Sequence, residues 1–235
     1  MITGILVALP EELRTLTKSK IKQGECISVA KNILVTLSGA GAENAGAAAQ
    51  GLIDNGAKQL ISWGCAGALA PHLKAGDLLI PSAILTKDNI QLTPQIDWSN
   101  QIIAQLEPGI KCYNGRLFES VAVISLARDK AEQYQQTAAL AVDMESGAVA
   151  RIAKRANIPF VAIRSIADLA NQDLPKVIAH AITDKGVISL PKLMFYLCSH
   201  PTELPGLIKL GLHFNTASKT LKTVASQLPQ ITPVH

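Results

Sequence analysis

The residues best suited to chemistry are carboxylates gathered in three short segments: Glu11 and Glu12 after Pro10, Asp143 and Glu145 in Asp143-Met144-Glu145, and Asp168 at the end of an apolar run. Carboxyl groups disposed around a substrate are the raw material of general acid–base work. Two small-residue segments offer other chemistry. Gly39-Ala40-Gly41 opens a helix and could cradle an anion, although it lacks the full dinucleotide-binding pattern. In Gly64-Cys65-Ala66-Gly67 the cysteine could be a nucleophile on a tight turn. Each feature also has a plainer reading. The acids could decorate helix N-termini, Asp168 could cap a helix, and the glycines could let helices approach strands. For Cys65 a small buried thiol is the better reading, because the five histidines are scattered and none forms a clear pair with an acid.

The elements that must position these residues can be read from hydrophobic pattern and punctuation. Ile2–Leu9 reads as a buried strand stopped by Pro10, and Pro followed by two acids is a helix-start signature. A hairpin follows, Cys26–Ala30 and Ile33–Leu37 about Lys31-Asn32, then a small-residue helix from Ser38–Glu43 to about Asn55, closed by Gly56. Leu60–Trp63 reads as a strand running into Gly64–Gly67, and Asp77–Leu85 as another strand. Residues 86–120 are polar and irregular, Val121–Ser125 is strand-like, and Lys130–Thr137 is a short helix. Ala139–Val142 leads into Asp143–Gly147 and a helix to about Ala156; after Pro159, Phe160–Ile166 is a strand ending at Ala167-Asp168. Alternating strands and helices predict an α/β fold with right-handed crossovers. In such sheets ligands bind beyond the carboxyl ends of strands, where Glu11/Glu12, Gly64–Gly67 and Asp168 fall.

Composition narrows the class. The 235 residues are 48% hydrophobic but only 4% aromatic, an aliphatic mass that suits helices on a parallel sheet and leaves few rings to stack nucleic-acid bases. Residues 1–184 hold 17 Lys+Arg and 17 Asp+Glu, so the body lacks the basic footprint of a nucleic-acid binder. The whole net charge of +4 lies in residues 185–235, where five lysines face Glu203 alone. Cys26, Cys65, Cys112 and Cys198 form no CxxC pair, which predicts reduced thiols and neither a disulfide framework nor a metal site. With no basic leader and no run of 18 apolar residues, the expectation is a soluble cytoplasmic protein.

Taken in order, Gly4–Glu12, Ser38–Gly41, Gly64–Asp77, Val142–Glu145 and Arg164–Asp168 resemble the purine nucleoside phosphorylase and nucleosidase superfamily, especially its methylthioadenosine/S-adenosylhomocysteine nucleosidase branch. The resemblance covers residues 1–170. A closer likeness is to the hopanoid-associated subfamily, which removes adenine from adenosylhopane; its marks are Glu12-Leu-Arg14, Val142–Ala150 and Ser199–Pro205. The resemblance implies a three-layer α/β fold, a central mixed sheet flanked by helices, in which residues 1–184 form the catalytic body and 185–235 a basic, apolar helical extension of the same domain. It implies cleavage of the N-glycosidic bond of a 5′-modified adenosine, with methylthioadenosine/S-adenosylhomocysteine cleavage and a non-catalytic nucleoside binder as alternatives. No cofactor or metal is implied, although inorganic phosphate stands as an alternative co-substrate to water. A homodimer or larger assembly is implied.

Residue by residue, Asp168 matches the general acid at purine N7 and Glu12 the carboxylate that activates water. Glu145 matches the acceptor of the ribose hydroxyls, with Met144 and Cys65 against the sugar. Ala8, Leu9, Ala40, Ala66, Gly67 and Asp143 match the pocket lining, and Arg164 the residue that orients neighbouring carboxylates. Arg14, Gly39 and Gly41 are the phosphate candidates. Departures are visible too. Ser62 and Cys65 stand where phosphorolytic relatives carry Arg and Ser, and between Ser125 and Met144 the chain is shorter, with Arg128 near the place of a purine-stacking Phe. The tail clusters Val187–Pro191, Leu193–Cys198 and Leu204–Phe214, with lysines between them, suggest either helices packed on the sheet or contact with an anionic membrane.

Overall fold

The structure, a computed structural model, describes residues 1–176 and 200–232. Its centre is one mixed sheet. Strand β1 (Thr3–Val7) lies between β3 (Ile33–Leu37) and β4 (Gln59–Ala68), parallel to both, and β2 (Cys26–Ala30) closes that edge as a hairpin with β3. The last long strand, β11 (Phe160–Asp168), runs parallel to β4 from Phe160↔Leu60 to Ile166↔Ala66. The sheet continues from the far end of β4 through β10 (Ala139–Asp143), β9 (Arg116–Glu119), β6 (Ala83–Thr86) and β7 (Gln91–Leu92). Two short strands, β5 (Leu78–Leu79) and β8 (Cys112–Tyr113), extend it beyond β11.

Strand alternation divides the core in two. Leu6, Leu60 and Ala162 face a layer containing α2 (Ala42–Asp54) and α5 (Ser146–Ala156). Ile5, Val7, Ile61, Trp63, Val161 and Ile163 face the other layer. That second layer holds Leu13 of α1 (Pro10–Leu16), Trp98 and Ile102 of α3 (Ile96–Gln105), and Leu221 and Val224 of α6 (Leu204–Ser226). The short α7 (Leu228–Ile231) completes it, with Ile231 O accepting from Trp98 Nε1 at 2.7 Å. Each such aliphatic side chain taken out of water contributes roughly 1.5–3 kcal/mol. The remaining helix, α4 (Ala127–Thr137), lies beside β10.

β4 is the strand on which the site depends. Residues 59–63 pair with β1 on one edge, and residues 67–68 pair with β10 on that edge after β1 has ended. Gly64-Cys65-Ala66-Gly67 therefore continues the strand, where the sequence suggests a turn after it; β11 pairs along its other edge throughout. Three further expectations are corrected. Asp77–Leu85 is two short strands, β5 and β6, split around Pro81, which has no N–H for a ladder. Val121–Ser125 is not a strand; β9 lies just before it, and Val121 and Val123 are exposed. Residues 86–120 contain α3 and three strands, not irregular chain. The domain boundary at 184 and the clusters Val187–Pro191 and Leu193–Cys198 lie outside the described residues.

Candidate active site

At Pro10 the chain leaves β1 and starts α1, so β4 loses its neighbour just before Cys65. Glu12, at the third position of α1, turns back into that gap. Its Oε1 accepts from the Cys65 backbone N–H at 2.8 Å, and its Oε2 accepts from the N–H groups of Ala8 and Leu9 at 3.0 Å each. Gly64 makes this possible: a Cβ there would stand 2.7 Å from the Glu12 Cδ. Burial pushes the Glu12 carboxyl above its usual range, and Arg164 with the three amides pulls part of the way back.

Arg164 comes from β11 and is almost wholly buried. Its Nε donates to Asp143 Oδ2 at 2.7 Å, and one terminal nitrogen donates to the hydroxyls of Ser62 at 2.6 Å and Ser146 at 3.0 Å. Ser146 in turn donates to Asp143 through a very short contact. The other terminal nitrogen, Nη1, is buried with no hydrogen-bond acceptor among the described residues, which leaves a donor for a bound group. Burial works against this charge, but Asp143, Glu145 and Glu12 outweigh it and hold the guanidinium ionised.

Glu145 sits at the N-terminus of α5 and reaches across to the start of α2, where its Oε1 accepts from Gly41 N–H at 2.8 Å. Burial, then the charge of Asp143, pushes its pKa up to about 7. Asp168 closes the row at the end of β11, beside Gly67, where a Cβ would stand 3.2 Å from its Oδ2. Its Oδ2 is 2.6 Å from the ammonium nitrogen of Lys130, and Asp168 lines a cavity of about 260 Å³ with Gln172, Leu174, Lys209, Leu210 and His213. Burial raises the Asp168 carboxyl and Lys130 opposes the rise. The anchor points of Glu12 and Asp168 on β4 are three residues apart, about 10 Å along a strand.

A family model described as the phosphorylase superfamily matches residues 3–187. The chain belongs to that superfamily. It is 29% identical over 198 residues to a 5′-methylthioadenosine/S-adenosylhomocysteine nucleosidase of Staphylococcus haemolyticus, covering 72% of this chain and 86% of the relative. Its fold is similar to that of the 5′-methylthioadenosine/S-adenosylhomocysteine nucleosidase of Neisseria meningitidis, solved with methylthio-immucillin-A (TM-score 0.73, 18% identity, 97% and 98% of the two chains). It is also similar to the futalosine hydrolase of Helicobacter pylori (TM-score 0.71, 18% identity, 97% and 96%). These likenesses bear out the expected three-layer fold with a mixed central sheet.

The structure brings Glu12, Asp143, Glu145 and Arg164 into one buried cluster, with Asp168 at the end of β11 opposite Gly67 of β4. Ala8, Leu9 and Gly41 contribute backbone donors; Ala66 and Gly67 are the small residues of β4 next to Asp168. Gly39 and Gly41 both have positive φ and lie in the turn into α2, and the Gly41 N–H already serves Glu145. Ala40 keeps its carbonyl on the Asn44 side chain, and Met144 is half-buried next to Glu145. Arg14 is not brought into the cluster. Its side chain is 69% exposed and pairs with the neighbouring Glu11 at 3.5 Å, one turn back along α1. Cys65 takes part through its backbone; burial, then the Glu12 charge, pushes its thiol well up, which keeps it protonated and a poor nucleophile. Asp143 is wholly engaged with Arg164 and Ser146, so it holds the arginine in place. Sequence reasoning missed Ser146 and Lys130, and read Ser62 only as a missing arginine. Among the described residues no cluster of His, Cys, Asp and Glu could hold a metal ion.

Proposed function

We propose that the protein releases adenine from a 5′-modified adenosine by hydrolysis of the N-glycosidic bond, with adenosylhopane the leading substrate. In this reading Glu145 accepts from the ribose hydroxyls, Glu12 takes a proton from the attacking water, and Asp168 gives a proton to adenine N7 as the bond's electron pair leaves with the base. The observation that carries hydrolysis is the company Arg164 keeps. Among the described residues it is the one cation in a buried cluster with Glu12, Asp143 and Glu145, and its charge is matched by Asp143. A dianionic phosphate would meet three carboxylates there, whereas a water would find a donor in Arg164 Nη1 and an acceptor in Glu12. The nucleosidase and hydrolase names of the relatives point the same way.

The test is to incubate the purified protein with adenosylhopane, methylthioadenosine and S-adenosylhomocysteine, with and without phosphate, and follow free adenine and the sugar product by mass spectrometry. Free sugar at a rate independent of phosphate is expected, with the highest kcat/KM on adenosylhopane. Ribose-1-phosphate formation would overturn hydrolysis, and a clear preference for methylthioadenosine would favour the second reading, a general methylthioadenosine/S-adenosylhomocysteine nucleosidase. A lipid-linked substrate also fits α6, whose first half exposes Leu204, Ile208 and Leu212 at four-residue spacing beside Lys209. Salt-sensitive binding to anionic liposomes, weakened by Ile208→Ser with Leu212→Ser, would support peripheral membrane contact. The homodimer or larger assembly is tested by light scattering.

A further inference from the structure

α4 is a polar helix with an unusual anchor. Its two buried residues are Lys130 and Thr137, and the Lys130 side chain has no exposure at all. A helix that needed only packing there would carry Leu or Met, since a buried ammonium loses its hydration and keeps its charge only where good partners replace water. Lys130 has such partners for all three of its N–H donors: Asp168 Oδ2 at 2.6 Å, and the carbonyls of Leu169 and Gln172 at 2.9 Å each. Both carbonyls belong to the turn that follows β11, so one ammonium group ties the carboxyl of Asp168 to the chain directly after it. The same residue lines the 260 Å³ cavity.

We propose that Lys130 is a positioning residue for the acid step: its ammonium fixes one oxygen of Asp168, holds the carboxyl at the cavity it lines, and compensates the negative charge that proton transfer leaves behind. The proposal rests on the reading of Asp168 as proton donor. As the glycosidic bond breaks, its electron pair goes to the purine, the Asp168 proton passes to N7, and the new carboxylate stays against an ammonium that keeps its own three protons. The water completes the balance, its hydroxyl going to the anomeric carbon and its proton to Glu12.

The experiment compares Lys130→Met with wild type on two substrates, adenosine and p-nitrophenyl β-D-riboside, whose phenolate leaves without needing a proton. The expected result on adenosine is a kcat at least ~30-fold lower with KM changed by less than about threefold, a part of the roughly 100- to 10,000-fold contribution of a general acid, because Asp168 itself is kept. The loss on the p-nitrophenyl riboside should be at least about tenfold smaller than the loss on adenosine, because that bond breaks without the acid. Equal losses on both substrates would reduce Lys130 to a structural tie, and undiminished adenine release would also overturn the proposal. If Lys130→Met does not fold, Lys130→Gln, which keeps N–H donors for the two carbonyls but no charge, is read on the same pair. A wild-type protein that cleaves the p-nitrophenyl riboside and no adenosine of any kind would instead remove the functional reading, and this proposal with it.

Discussion

The Lys130–Asp168 pair changes what a substitution at the acid should do. Asp168→Asn removes the proton donor, so adenine release should fall at least ~100-fold. It also denies the buried ammonium the carboxylate it faces whenever Asp168 has given up its proton, so the variant should be less stable in urea unfolding, by up to about 3 kcal/mol, the scale for stranding one partner of a buried pair. The double variant Asp168→Asn with Lys130→Met should regain part of that stability and none of the activity. Glu145 gives a pH test. With its pKa pushed up to about 7, the folded protein holds a proton that the unfolded chain releases in the usual carboxylate range. Stability contributed by that proton is present in acid and is lost as pH rises through 7. Glu145→Gln, which cannot ionise, should therefore melt above wild type at pH 8.5 and close to it at pH 4; the same melting difference at both values would contradict the shift. On substrates, the variant should lose more with ribosyl than with 2′-deoxyribosyl compounds, because a neutral amide is a poorer acceptor for two hydroxyls.

Among the elements, β4 is the least tolerant. Its Gly64 lies against the Glu12 carboxylate, so Gly64→Ala must push Glu12 off the amides of Cys65, Ala8 and Leu9. Turnover should drop at least ~100-fold, with a melting temperature several degrees lower by calorimetry, because buried amides lose their acceptor. The sequence was legible where local signals agreed with tertiary pairing. Pro10-Glu11-Glu12, the Lys31-Asn32 hairpin and the helix closed by Gly56 all fold as their residues suggest. It was illegible where pairing overrode propensity. Val121–Ser125 has the better β composition, yet Arg116–Glu119 becomes the strand because it lies between β10 and β6 in parallel register. α3 hides in polar chain because only Trp98 and Ile102 mark its buried face among the apolar residues.

At the scale of the whole molecule, the candidate site unites residues as far apart in the chain as Glu12 and Asp168, and the strings that carry its acids were readable because each is short and contiguous. Lys130 was not, since a lysine on a polar helix carries no sign that its partner lies 38 residues on, and Ser146 looked like one more small helix residue. Phosphate offers a check on the assembled site: adding it to saturation should change neither the rate nor the sugar product, and an activation would mean that an anion site exists outside the acidic cluster. The amides that hold the carboxylates give the molecule an internal gauge. Cys65, Ala8 and Leu9 donate to Glu12, and Gly41 donates to Glu145. The N–H groups of Ala8, Leu9 and Gly41 sit where strands end and helices begin, and that of Cys65 faces the gap that β1 leaves beside β4, positions that would ordinarily exchange quickly with deuterated solvent. Here their exchange rates report whether each carboxylate is seated, so a mass spectrum of labelled peptides would follow the opening of the site before any bond in a substrate is broken.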